Sequence, residues 1–355
     1  MLGWFRKKRN AEGETTPSPR AAAPRPAAEA VAVAPPESEA FLAAWNTLEA
    51  AVEGEVVLDR HPLTASDRTL IELLQPLLQD HFQAHPPAPA AFPAVAVQVL
   101  SLLEGHDPQV PALLHLISQD PAISMHVLQV ANSAYYHRGR DVPDLQAAVM
   151  KMGVAATGDV VVAVAGRSLF DLSLKAELEF FKARMREQYR SAMAIAFASR
   201  EFAERAQLGN PHQLFLGGMF HDIGHTLSLR ALAALMISGQ VPRDLPALAL
   251  DALLERTHLE MGTTAHRIWN LPAHLARLCA HHHDPVVPAW VDQQDLHVLR
   301  VVSGLNHLAL DPNDPSHAPE TRQSLQALQI DRAQARELFE RVQEHRVIVE
   351  GMFPA

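Results

Sequence analysis

Apolar residues recur at helical spacing along most of this chain. Phe41, Leu42, Trp45 and Leu48 share one face of a first predicted helix, and residues 70–78 repeat the pattern. No stretch shows the sustained alternation of apolar and polar residues that a half-buried strand requires. The pattern therefore predicts an all-α fold, a compact multi-helix bundle with short connections.

Proline and glycine mark the predicted helix boundaries from Phe92 onward. Asp120-Pro121 predicts a helix start, because proline is favoured at the first helical position. Further boundaries are predicted at Gly153, Gly209, Gly224, 270–272 and 284–285. The apolar residues 160–165 are too few to cross a bilayer, which takes about 18 residues, and therefore predict a core helix.

Composition divides the chain into four parts. Residues 1–40 form an Ala/Pro-rich leader that is predicted to be disordered, because it offers little apolar surface to bury. A small helical module at 41–85, with turns near Gly54 and Pro62, precedes the main domain at 86–310, which opens with a proline-rich linker. A helical extension follows at 311–355. The basic block in residues 1–9 predicts at most weak contact with a membrane surface, and an untethered tail is the other interpretation.

Charge and cysteine content narrow the classes of function. The net charge of −10 and a pI near 6.0 give no basic surface for nucleic acid. The single cysteine, Cys279, excludes an internal disulfide and predicts a cytoplasmic location. The 20 histidines make a metal site worth seeking.

The doublet His221-Asp222 is the strongest chemical signal. An imidazole beside a carboxylate suits a divalent transition metal, and the apolar run 214–220 predicts a buried helix that delivers the pair and ends at Gly224. Downstream, His258 is predicted to begin a helical stretch, and residues 281–283 form a histidine run. Histidines from separate helices can converge inside a bundle. Alternatively, His258 is a helix-start residue with a satisfied backbone bond, and the run is a solvated helix end.

The order of these segments resembles the HDOD domain family, a divergent branch of the HD superfamily of metal-dependent phosphohydrolases. The resemblance spans about residues 92–309 and rests on the segments 92–95, 119–123, 130–136, 142–149, 152–153, 218–224, 258–262, 269–272 and 282–285. It implies an all-helical output domain in bacterial signal transduction, with links to cyclic-dinucleotide pathways.

Two departures from catalytic HD enzymes follow from this resemblance. Those enzymes resemble the pattern His…His-Asp…Asp, and here the first histidine and the last aspartate are matched by Arg190 and Asn306. A guanidinium offers only donors, and an asparagine offers a neutral carbonyl. The resemblance thus implies a degenerate site with no catalytic residue expected; if the chain is active, His221 and Asp222 are the central ligands.

The surviving polar residues leave two interpretations open. The positions that match ligands of the two-metal branch are His221, Asp222, His258, His282 and His283. They either hold Zn, Fe or Mn, with His225 adding an imidazole nearby, or form a hydrogen-bonded buried cluster without a cofactor.

The first hypothesis is a non-catalytic signalling module that recognises signalling proteins or a small ligand such as a nucleotide. The alternative is a metal-dependent phosphohydrolase or phosphodiesterase that acts on a nucleotide or cyclic dinucleotide. The segment Tyr135-Tyr136 is either a partner surface or tyrosine packing on the core, and core packing is favoured.

Overall fold

The protein is all-helical in the part of the chain that its structure describes. The computed structural model describes residues 37–52, 63–88, 94–104, 110–133, 135–136, 141–170, 179–289 and 293–352. Its α-helices are α1 (Glu39–Ala50), α2 (Ala65–Ala84), α3 (Ala94–Glu104), α4 (Val110–Ser118), α5 (Pro121–Ala131), α6 (Leu145–Met152), α7 (Val154–Gly166), α8 (Glu179–Ala206), α9 (Pro211–Phe220), α10 (Ile223–Ile237), α11 (Ala247–Ile268), α12 (Ala273–His281), α13 (Gln293–Leu310), α14 (Ala318–Ala327) and α15 (Arg332–Met352). The predicted fold class is confirmed.

Several predicted features fall outside the described residues. The turns near Gly54 and Pro62 and the leader up to residue 36 are among them. Of the predicted linker, residues 86–88 are described and are not helical. The carbonyl oxygen of Ala88 accepts a hydrogen bond from Trp269 Nε1 at 3.2 Å, which ties the linker to the end of α11.

A large apolar core extends from α2 to α11. Residues 160–163 on α7 are fully buried within it, which confirms the predicted core helix. Among the described residues, no single helix has both the length and the apolar character to cross a membrane. The helices α6 and α7, the latter extended by a 3₁₀ turn to Phe170, meet those criteria only as a pair, and they are bent by 115°.

The helices at the two ends of the described chain share a second apolar cluster. Phe41 on α1 meets Phe339 on α15 edge to face at 5.7 Å, and Leu305 of α13 belongs to the same cluster. The helix α2 instead packs on α10 and α11, where Gln79 Nε2 donates to Glu260 at 2.6 Å. Residues 37–355 form one compact unit, so the two helices predicted as a module belong to the same unit as the main domain.

Local sequence explains where α5 begins and which contacts Asn132 makes at its end. Asp120 accepts hydrogen bonds from the backbone of Ala122 and Ile123, so the predicted helix start at Pro121 is confirmed. After α5, Asn132 bonds both backbone groups of Val142 at 2.8 and 3.1 Å. The half-buried ring of Tyr135 packs on a core phenylalanine, which favours core packing for this tyrosine.

Two predicted boundaries near the doublet are wrong. The helix α9 ends at Phe220 and α10 begins at Ile223, so Gly224 lies in the first turn of the next helix instead of ending the first. An added Cβ at Gly224 would stand 1.8 Å from the carbonyl oxygen of His258, so glycine is needed for close approach of α10 and α11. His258 lies in the second half of α11, because the buried stripe of this helix already starts at Ala249.

A buried histidine links α11 to the residue before the doublet. His266 is 1 % exposed, and its Nε2 lies 3.2 Å from the carbonyl oxygen of Phe220. Burial lowers the pKa of His266 to about 4, so the ring is neutral at neutral pH and donates to that carbonyl. The end of α9 is thereby held against α11.

We expect Gly224→Ala to reduce the free energy of unfolding by about 1–3 kcal/mol or more. The obstructing atom is a backbone carbonyl of a packed helix, which cannot rotate aside as a side chain can. Urea denaturation measures the change. Gly351→Ala is the matched control, because nothing lies within 4 Å of its added Cβ. The control should be neutral or gain up to about 1 kcal/mol, and equal stability of both variants would contradict the close approach.

We expect His266→Gln to flatten the dependence of stability on pH. Between pH 6.5 and about 4 the unfolded chain binds a proton at His266 that the folded chain does not. Stability is therefore fully present above this window and falls with pH within it, by about 3 kcal/mol in total. Glutamine keeps an N–H for Phe220 and does not titrate.

Free energies of unfolding at about pH 7 and about pH 5 test this expectation. His115→Gln serves as the control, because His115 is exposed. The same loss of stability between the two pH values in the His266 variant and the wild type would refute the buried, neutral state of His266.

Candidate metal centre

Asp222 lies in the two-residue turn between α9 and α10 and is the centre of a histidine cluster. Its Oδ1 atom is 3.0 Å from His282 Nε2 and 3.7 Å from both His258 Nε2 and His225 Nδ1. Its Oδ2 atom is 3.3 Å from His221 Nε2. The Asp222 side chain is 27 % exposed, so a small ligand can reach the carboxylate from solvent.

The structure brings four of the five predicted ligands together. One ligand atom from each of Asp222, His258, His282 and His283 lies within 4.8 Å of all the others. His221 stands to one side of this set. It is 1 % exposed, its Nε2 is 3.2 Å from Ser303 Oγ on α13, and its Nδ1 is 3.0 Å from the carbonyl oxygen of Gly218.

The end of α12 is held by a buried arginine on α13. Arg300 is 2 % exposed, and its Nη2 donates to the carbonyl oxygens of His281 at 2.6 Å and Asp284 at 2.7 Å. These bonds satisfy carbonyls that a helix end leaves without intrahelical partners. His282 and His283 lie between the two held carbonyls and are therefore fixed in direction, so the histidine run is not a solvated helix end.

Each of the three clustered histidines has its Nδ1 atom beside an oxygen acceptor. The acceptors are the carbonyl of Glu255 for His258, at 2.8 Å, and the carbonyl of Cys279 for His282, at 2.8 Å. For His283 the acceptor is a carboxylate oxygen of Glu320, on α14, at 2.9 Å. A ring that donates from Nδ1 presents a lone pair at Nε2, which is the arrangement that metal-binding histidines show.

The His282 ring has fewer N–H donors than the oxygen acceptors that face it. Burial lowers the pKa of His282 to about 3, so its ring is neutral and carries one N–H. Two oxygens face that ring, the Cys279 carbonyl and the Asp222 carboxylate. Burial opposes ionisation of Asp222, but the imidazoles of His221 and His282 outweigh it and hold the pKa of Asp222 well below its usual range.

Among His258, His282 and His283, two ring nitrogens are buried without a hydrogen-bond partner within the described part of the chain. They are Nε2 of His258 and Nε2 of His283. Buried polar atoms are normally satisfied, so such atoms around an ionised carboxylate require explanation. A divalent cation would accept these lone pairs and relieve the contact between His282 and Asp222. The donor set therefore fits Zn, Fe or Mn, all of which accept imidazole or carboxylate ligands.

Three further residues beside this cluster are not predicted from the sequence: Glu255, His317 and Glu320. Glu255 is one turn before His258 on α11, and its carboxylate is 3.4 Å from His225 Nε2. His317 precedes α14, and its Nδ1 shares the Glu320 oxygen at 3.2 Å. Burial opposes protonation of His317, but Glu320, Glu255 and Asp222 raise its pKa to about 9. The only sequence signal for these residues is the spacing of three residues between Glu255 and His258 and between His317 and Glu320.

The two residues matched to missing ligands have other partners. Arg190 forms an ion pair with Glu350 on α15. Asn306 is 2 % exposed, and its Oδ1 accepts a hydrogen bond at 3.1 Å from Arg346, which also donates to Ser191 Oγ at 3.1 Å. The α13 residue that reaches His221 is Ser303, one turn before Asn306.

The comparison with known proteins matches the part of the chain that holds Asp222, His258, His282 and His283. The family model of the HDOD domain matches residues 90–285, more than half of the chain. An uncharacterized protein of Treponema pallidum (strain Nichols) is 23 % identical over 197 residues, which are 54 % of this chain. The match spans only 37 % of that relative.

Three solved structures share the fold. A Shewanella amazonensis SB2B protein that carries the name of a metal-dependent phosphohydrolase has a TM-score of 0.58 at 20 % identity, and an HDOD domain protein of unknown function from Geobacter sulfurreducens has 0.58 at 18 %. Both matches cover 80 % of this chain and 100 % of the other.

A Marinobacter aquaeolei VT8 protein named for signal transduction has a TM-score of 0.54 at 16 % identity, covering 88 % of this chain and 65 % of that one. At such identities the likeness to solved structures shows the fold alone. The match to the family model carries the assignment further, and the chain belongs to the HDOD domain family.

Proposed function

We propose that this protein is a signalling module that does not hydrolyse phosphodiesters and that acts by recognising signalling proteins. Its histidine pocket, which is formed by the cluster around Asp222, binds a divalent transition metal through Asp222, His258, His282 and His283. When bound, the metal supplies positive charge to which an anionic ligand, such as the phosphate of a nucleotide, can bind. Membership of the HDOD family supports the role in signalling.

The contacts of Arg346 are the main support for the proposal that the protein does not hydrolyse phosphodiesters. Catalytic HD enzymes complete their metal site with residues that match Arg190 and Asn306. Here the guanidinium of Arg346, on α15, holds the oxygens of Asn306 and Ser191 and contacts Glu187 as well. The carbonyl oxygen of Asn306 is thus committed to an arginine, and arginine remains protonated and cannot bind a cation.

His221 supports the same conclusion. Its Nε2 atom faces the hydroxyl of Ser303, where a metal position completed by the doublet would need a carboxylate. A hydroxyl is a weaker ligand than a carboxylate for a divalent ion, and it leaves the charge of the ion uncompensated. A water held by such an incomplete site is poorly activated for attack on phosphate.

Metal-dependent phosphohydrolysis is the second candidate. It is favoured by the convergence of Asp222, His258, His282 and His283, because three histidines and a carboxylate hold a divalent metal and leave positions open where the metal is octahedral. One structural neighbour carries the name of that activity. Both candidates require the metal, and they differ only in turnover.

We expect no phosphodiesterase activity above the level of the Asp222→Ala variant. The full chain is loaded with Mn²⁺, Fe²⁺ or Zn²⁺ and assayed on bis(p-nitrophenyl) phosphate and on a cyclic dinucleotide. The physical reason is that the doublet lacks an imidazole ligand from α8 and a carboxylate ligand from α13.

The variant His115→Ala is the control for effects of preparing a variant protein, because His115 is exposed. Turnover that His115→Ala retains and Asp222→Ala abolishes would overturn the non-catalytic function and establish the second candidate.

We expect Arg346→Met to lower the free energy of unfolding by about 1–3 kcal/mol, because it leaves the buried oxygen of Asn306 without its donor. Urea denaturation measures the effect. Arg341→Met is the control on the same helix, since Arg341 is 42 % exposed and its ion pairs are worth about 0–1 kcal/mol. An unchanged midpoint for Arg346→Met would refute the hydrogen bond between Arg346 and Asn306.

A further inference from the structure

Two more groups of ligand atoms lie beside the first. His225, Glu255 and His258 form one, and Glu255, His283 and His317 form the other, which is called the second group. One atom each from Glu255, His283 and His317 lies within 4.8 Å of the other two. Their side chains are 15 %, 20 % and 12 % exposed, so they line the interior of the pocket and still reach solvent. His317 lies beyond residue 285, where the family match ends.

His283 belongs to both groups and can serve only one of them. Its Nδ1 is 2.9 Å from Glu320, so a single nitrogen, Nε2, remains to bind a metal. If His283 joins the second group, the first group keeps Asp222, His258 and His282. Each position then has two imidazoles and one carboxylate, a set that binds Fe(II) or Zn with open positions.

Glu320 orients the histidines of the second group. One of its oxygens lies 2.9 Å from Nδ1 of His283 and 3.2 Å from Nδ1 of His317. A carboxylate in this place fixes the ring direction and raises the basicity of the opposite nitrogen. Nε2 of His283 is buried and has no hydrogen-bond partner within the described residues. Orientation by Glu320 therefore leaves a lone pair that a cation can use.

The helix α11 makes the two groups neighbours. Glu255 and His258 are separated by one turn, so they lie on the same face of the helix. The ring of His225 stacks on His258 at 4.2 Å, and its Nε2 is 3.4 Å from Glu255, which holds the carboxylate beside the first group. Asp222, Glu255 and Glu320 bring three carboxylates into one pocket, a charge that more than one divalent ion can compensate.

We propose that the pocket holds two divalent transition-metal ions, each on two imidazoles and one carboxylate. The first position is formed by Asp222, His258 and His282, and the second by Glu255, His283 and His317. The second ion lies towards α14 instead of towards His221. This inference rests on the metal binding of the proposed function, adds a second site to it and reassigns His283 from the first site to the second.

Metal stoichiometry tests the inference. The full chain is equilibrated with Zn²⁺ alone, dialysed and analysed for zinc by mass spectrometry. We expect two zinc ions per wild-type chain, one for His317→Ala, one for Glu255→Gln and one for Asp222→Ala. The exposed-residue control His115→Ala should keep two. Far-ultraviolet circular dichroism and thermal unfolding verify that each variant is folded, and the conservative Glu255→Gln substitution serves if His317→Ala is not.

The outcomes separate this inference from the proposed function. One zinc per chain in the wild type, lost in Asp222→Ala and kept in His317→Ala, would overturn the second position and leave the proposed function standing. No zinc in the wild type would overturn both. Two zinc ions in the wild type and in both second-position variants would also overturn the inference.

Glu320→Gln gives a second readout that does not depend on losing a ligand. Titration with Co²⁺, followed by the visible absorption of the bound ion, should show two binding phases in the wild type. Substitution of an orienting carboxylate weakens metal binding by about 10–100-fold, so one phase should shift by that factor and the other should stay. Two unchanged phases would refute the role of Glu320 at the second position.

Discussion

The contact between Gly224 and the backbone of His258 is the constraint on which the pocket depends. At this point α10 and α11 approach so closely that a carbonyl oxygen fills the place of a methyl group. Asp222 lies two residues before Gly224, so the same contact sets the 3.7 Å separation between its Oδ1 and His258 Nε2. One turn further along α11, Gly262 faces Cys279 Sγ of α12, which would stand 2.8 Å from an added Cβ. Two glycines thus set how closely three helices meet.

The clustered histidine rings have hydrogen-bond partners at Nδ1 and mostly lack them at Nε2. The Nδ1 atoms of His258, His282 and His283 all face oxygen acceptors, whereas two of the three Nε2 atoms have no hydrogen-bond partner within the described residues. A polar cluster kept only for stability would gain from satisfying both sides, because partly satisfied buried networks cost more than apolar packing. The asymmetry therefore points towards a ligand at the Nε2 side and away from a purely structural vestige.

Much of the fold and part of the pocket could be predicted from the sequence, because both depend on local pattern. Helical periodicity identifies the all-α class, and Asp120-Pro121 marks a helix start through capping that the backbone confirms. The segments around the doublet identify the family, since they keep their order along the chain. The prediction that Gly224 ends a helix is wrong, because a glycine needed for close approach has the same local signature as one needed for a C-cap.

The remainder of the pocket depends on contacts between residues far apart in sequence. Glu255 has an ordinary place on a helix, and His317 and Glu320 follow the family segment by more than thirty residues. Nothing in their neighbours distinguishes them from surface charges. The same limit applies to Asn306: the sequence matches it to a ligand position, but helical phase brings Ser303 to His221 and turns Asn306 towards Arg346.

The position of α15 has a consequence for where the protein can be divided. A fragment cut where the family match ends, at residue 285, would lose Ser303, Asn306 and both pocket residues near α14. It would also expose the face of α8 that α15 covers and remove the partners of Phe41 on α1. The family match and the compact unit thus have different borders in this chain: the match ends at residue 285, whereas the compact unit begins at Glu37 and includes α15.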